Sequence, residues 1–64
     1  MAIYEAHYRG VTQDGNVVRT NAPIRAPNNG LAIVLARHYL PPEFKDMNLK
    51  ENRLVRLVKT NRKN

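Results

Sequence analysis

Three features of this 64-residue chain predict an α+β fold, a three-stranded antiparallel sheet with one helix packed on one face. Two stretches near the N-terminus alternate apolar and polar side chains, the period of half-buried strands. A central segment is apolar at helical spacing, and a run mixing apolar and basic residues follows a double proline. The order is strand, strand, helix, strand.

The first strand is "IYEAHYRG", with Tyr4, Ala6 and Tyr8 on one face and Glu5, His7 and Arg9 on the other. In the second, "NVVRTNAPIRA", Val18, Thr20, Ala22, Ile24 and Ala26 share a parity opposed by Val17, Arg19, Asn21 and Arg25. A two-residue Asp14-Gly15 turn would set Glu5 against Ile24. A three-residue loop, Gln13-Asp14-Gly15 with Gly15 left-handed, pairs Tyr8 with Thr20, Ala6 with Ala22 and Tyr4 with Ile24. The second register is preferred because it keeps apolar side chains on one face. Pro23 cannot donate to a ladder, which predicts a free edge or a bulge there.

Asn28 or Asn29 caps the helix that follows, and Pro41-Pro42 ends it. Leu31, Val34, Leu35 and His38 fall at i, i+3, i+4 and i+7, a stripe predicted to cover the sheet. Ile33 lies off that stripe, and either packs at the sheet's edge or marks a contact patch. "EFKDMNLKEN" reads as a loop with room for one helical turn, anchored by Phe44 and by Met47 or Leu49. "RLVRLVK" is the last strand. Leu54, Arg56 and Val58 alternate there with Arg53, Val55, Leu57 and Lys59, so the periodicity does not decide which face is buried. Residues 1–60 form one small domain, and 61–64 a disordered basic tail.

The chain has no cysteine, so neither disulfides nor thiolate metal sites supplement its core. No apolar run reaches the roughly 18 residues of a membrane span, and the first residues lack a signal peptide's pattern. The expectation is a monomer in the cytoplasm that does not engage membranes. The net charge is +6. Arg37, Lys45 and Lys50 cancel Glu43, Asp46 and Glu51 in residues 31–51, while Arg53, Arg56, Lys59, Arg62 and Lys63 stand at the C-terminal end without an acid. That asymmetry predicts attraction to a polyanionic surface.

Little supports catalysis. There is no serine or cysteine, His7 and His38 lack metal-ligand spacing, and Gly10, Gly15 and Gly30 lie too far apart for a phosphate loop. His38 suits the helix C-terminus, His7 is expected in solvent, and Glu43 with Asp46 reads as a solvated pair near Lys45. A non-enzyme without cofactor is expected. The basic run is either a solubilising face or a binding element. Arginine inside a strand favours the latter, because Arg53 and Arg56 present forked donors from a fixed backbone. No RNP-type motif accompanies it, so any nucleic-acid signal is electrostatic.

"PIRAPNNGLAIVLARHYLPP" resembles the matching stretch of the small early inhibitors of bacterial RNA polymerase found in short-tailed lytic coliphages. Pro23-Ile24, Ala26, Ala32, Leu35-Ala36 and Pro42 fall at that family's positions without a gap. The resemblance covers about residues 23–42 and implies the same sheet-and-helix fold. It also implies a host-takeover function without catalysis in the host cytoplasm. Such proteins bind the jaw of the polymerase's largest subunit and act with the initiation factor's acidic N-terminal region to prevent a productive open complex. Their last-strand arginines meet acidic side chains of the jaw. Arg56 matches the first of those positions; the second holds Val58, with Lys59 beside it. This chain lacks the family's acidic strip and has a longer approach to the last strand through "KDMNLKEN". The expected partner-binding set is Arg53, Arg56, Lys59, Arg62, Lys63 and Arg25, directed at an acidic protein surface. The alternative is a small basic protein that sets the same residues on nucleic-acid phosphates.

Overall fold

Residues 2–60 are described by the computed structural model, in the order β1 (Ala2–Thr12), β2 (Val17–Ala26), α1 (Asn29–His38), α2 (Pro42–Lys45) and β3 (Leu49–Lys59). The sheet is antiparallel with β1 at its centre, in the order β2-β1-β3. The three-stranded sheet with α1 on one face is the predicted architecture.

Gly15 has φ 90°, the left-handed region that a glycine occupies without steric penalty. It lets Gln13-Asp14-Gly15 close a hairpin across the Thr12 N–H to Asn16 carbonyl bond of 2.9 Å. The resulting register pairs Tyr4 with Ile24, Ala6 with Ala22 and Tyr8 with Thr20, as the apolar faces require. Side chains reinforce the turn. The Thr12 hydroxyl donates to Asp14 and holds its carboxyl below the usual carboxylate range, and Asn16 Nδ2 donates to the same carboxylate at 3.2 Å. Pro23 lies on β2, an edge strand, where a missing donor is tolerated.

Tyr4, Ala6 and Tyr8 from β1 and Ala22, Ile24 and Ala26 from β2 are buried with Ala32, Ala36 and Phe44. The helix therefore packs through Ala32 and Ala36, which are completely covered, while Leu31, Val34 and Leu35 are about half exposed at 48%, 50% and 47%. The predicted stripe faces away from the sheet, and His38 is exposed with it. Volume decides this inversion. The sheet already supplies two large rings, so only a small-residue face lets the helix backbone come close without overpacking. At that distance the Tyr8 hydroxyl donates to the Ala36 carbonyl oxygen at 2.7 Å. Ile33 is half-buried.

Asn28 is the N-cap, its Oδ1 accepting from the Leu31 N–H at 2.9 Å. The C-terminal cap is the Tyr39 N–H to the Ala36 carbonyl at 3.3 Å. After Pro41, itself fully buried, the single turn α2 carries Phe44 into the core. Burial of a phenylalanine of this kind contributes about 1.5–3 kcal/mol. Of the two further anchors considered, Leu49 packs against the core and Met47 is 41% exposed.

β3 begins at Leu49, four residues before the expected Arg53. The polar stretch Lys50-Glu51-Asn52 is strand because its backbone pairs with the end of β1, Asn52 opposite Gly10 and Glu51 opposite Val11. Gly10 has a packing reason: a Cβ there would stand 2.8 Å from Leu49 Cδ1. Thr60, the last residue of the expected domain, is anchored to β1. Its N–H and hydroxyl both donate to the Ile3 carbonyl, at 3.0 and 2.8 Å. Residues 61–64, with Arg62 and Lys63, lie outside the described residues.

Candidate anion-binding face of the sheet

α1 covers one side of the sheet, so the other side is open, and pairing identifies what it carries. Directly paired residues point to the same side. From β1 the open face receives Ile3, Glu5, His7, Arg9 and Val11; from β2, opposite them, Arg25, Pro23, Asn21, Arg19 and Val17.

On β3 a bulge decides the matter. His7 pairs with Arg56 but Tyr8 pairs with Leu54, so Val55 is an extra residue that β1 does not match. The strand changes parity there. Leu54 and Leu57, three apart, both pack on the core, and Arg53 and Arg56, also three apart, both lie on the open face. Neither alternation read from the sequence holds along the whole strand, because each is valid on only one side of Val55. A second irregularity, between Val11 and Thr12, leaves Lys50 unmatched.

Arg53 and Arg56 are thus brought together on one face. Lys59 is not with them. It pairs with Tyr4 and so shares the helix side of the sheet. Arg25 is on the open face but opposite Ile3, four residues along β1 from the His7–Arg56 row, or about 13 Å.

Two arginines absent from the expected set join Arg53. Arg9 pairs with Arg19 on one side and with Arg53 on the other, so three arginines form one row across the sheet, with Cα atoms about 5 Å apart between strands. The Arg9–Arg19 half of this row follows from the hairpin register already argued from the sequence. The Arg9–Arg53 half depends on the bulge. Next to the row, His7 lies between Asn21 and Arg56, and its Nε2 stands 2.9 Å from Glu5 Oε1. His7 is half-buried, not fully in solvent as expected.

Glu5 is engaged by His7, and Glu51 pairs across to Val11, one row beyond the arginines. Among the described residues, no carboxylate lies within ion-pair distance of Arg9, Arg19, Arg53 or Arg56. A concavity of about 250 Å³ is lined by His7, Arg9, Arg19 and Arg56 with Tyr8, Thr20 and Val55. A larger one, about 350 Å³ around Glu5, Asn21 and Pro23, has no cationic side chain in its wall.

Among the described residues, no three histidine or acidic side chains converge to hold a metal ion, and no helix is long and apolar enough to cross a membrane. No protein-family model, curated protein or solved structure matches the chain.

Proposed function

We propose that this chain is a non-enzymatic inhibitor of bacterial RNA polymerase of the phage type. It binds the polymerase's largest subunit through its basic sheet face in the host cytoplasm and, with the initiation factor, blocks transcription initiation. The observation that carries this reading is the placement of Arg53 and Arg56 side by side on the open face of an edge strand, with no carboxylate paired to them among the described residues. The family that residues 23–42 resemble carries its partner-binding arginines on this strand. A planar guanidinium held by a strand offers a carboxylate two parallel bonds in a fixed direction, which tail lysines do not.

Capture of core polymerase by the immobilised protein, with nuclease present, tests the proposal. Arg56→Ala is expected to weaken capture by at least tenfold, since removing one partner of a desolvated charge pair costs about 2–5 kcal/mol. Lys59→Ala, on the other side of the sheet, is expected to change it less than twofold. Equal capture by wild type and Arg56→Ala sinks the proposal, as does capture that nuclease abolishes, which would instead indicate nucleic-acid bridging.

A further inference from the structure

The row Arg19–Arg9–Arg53 is costly to the folded chain. Like charges directly opposite across strands destabilise a sheet, and here a central arginine has one on each side. The nearest acids are committed elsewhere or displaced by a row. Arg56 and His7 in the adjoining row join Arg9 and Arg19 around one concavity, with Arg53 beside Arg9 on the same face. An arrangement with this density of forked donors is satisfied by an anion that accepts from several of them together.

A carboxylate has two oxygens and one charge, and pairs fully with a single guanidinium. A terminal phosphoryl group offers up to three acceptor oxygens and up to two charges, and a nucleic-acid backbone repeats one charge at every phosphodiester, so either polyanion brings enough charge for neighbouring guanidinium groups. We propose that the Arg19–Arg9–Arg53 row, flanked by Arg56, is a phosphoryl-binding site. It takes closely spaced phosphates, from a nucleic-acid backbone or from free polyphosphate. The site does not rest on a polymerase partner, because Arg9 and Arg19 play no part in that reading.

The test is titration of the full chain with sodium tripolyphosphate, with a short DNA duplex of arbitrary sequence, and with tetraglutamate, following the arginine Nε–H signals by NMR. Signals of Arg9, Arg19 and Arg53 are expected to move with a phosphate probe, and tetraglutamate to bind at least tenfold more weakly. Arg19→Gln, an exposed edge-strand substitution, is expected to weaken phosphate binding about tenfold, the usual scale for a lost charged hydrogen bond. Arg37→Gln, on the helix, serves as the control and is expected to change it less than twofold. If the duplex binds, log affinity against log salt should have a slope near −0.9 per phosphate engaged, and Arg19→Gln should reduce its magnitude by about 1. Binding of either phosphate probe that Arg19→Gln selectively weakens supports the site, and the probe that binds identifies the source. Three results each overturn it: no binding of either probe, tetraglutamate binding as tightly, or a loss in Arg19→Gln no greater than in Arg37→Gln.

Discussion

The Tyr8 hydroxyl donates to the Ala36 carbonyl oxygen at 2.7 Å, joining the middle of the central strand to the last turn of the helix. Ala36 O also accepts the Tyr39 N–H, so one carbonyl carries both the cap of α1 and the bond that docks it. The Tyr39 ring lies beside that of Tyr8, tilted by 47° with centroids 6.3 Å apart.

Tyr8→Phe keeps the ring and removes only this bond. The expected cost is about 0.5–1.5 kcal/mol in urea unfolding. Burial, with a smaller contribution from Tyr39, holds the Tyr8 phenol above its ordinary pKa. A group whose pKa is raised on folding contributes stability that is intact below its unfolded value, near 10, and is lost as pH rises through the folded value. Wild-type stability should therefore fall on alkaline titration above about pH 10, and part of that fall should vanish in Tyr8→Phe. An identical alkaline profile in the two proteins would refute this role.

Replacements on the two faces of α1 should differ sharply. Ala36→Leu forces an isobutyl group between the helix and the tyrosine rings, and overpacking of this kind costs about 1–3 kcal/mol or more. Leu35→Ala, on the outward face, should stay within about 0.5 kcal/mol. Unfolding midpoints of the two variants measure the difference, and a larger loss in Leu35→Ala would mean the helix packs by its leucine stripe after all.

Deleting Val55 offers the most direct test of the bulge. Without the extra residue, Leu54 would directly precede Arg56, so the Tyr8–Leu54 and Arg9–Arg53 pairs would continue as a regular ladder with each side chain on its present face. Deletion should therefore cost no more than about 1 kcal/mol. Val55→Ala keeps the residue count and should cost under about 1 kcal/mol, since Val55 is 51% exposed. A loss above about 3 kcal/mol on deletion, the scale of burying an arginine and exposing a leucine, would mean that Val55 is matched to β1 and would remove the bulge's assigned role.

The hairpin was legible in the sequence because two constraints coincide there. Gly15 supplies a left-handed residue at one loop length, and the apolar faces accept only the register that this length produces. That same register also sets Arg9 opposite Arg19. The other half of the row was not legible, because no glycine or proline marks the bulge at Val55. Helix orientation was hidden for a different reason. A period of 3.6 locates a stripe but not the side that meets the sheet, and that side is chosen by the volumes of Tyr4 and Tyr8. The early part of β3 has no apolar alternation, since its pairing is made by backbone and by the contact of Leu49 over Gly10.

Pro23 and the Val55 bulge sit on opposite edges of the sheet, and their joint effect concerns what the molecule avoids. A regular edge strand is a template on which further chains add, the route to filaments and precipitates. On the β2 side, proline interrupts the run of donors; on the β3 side, two irregularities break the spacing an added strand would need. Two of the three strands are edge strands, yet neither border is a long, even one. Combined with a net charge of +6, this should keep the protein dispersed at high concentration.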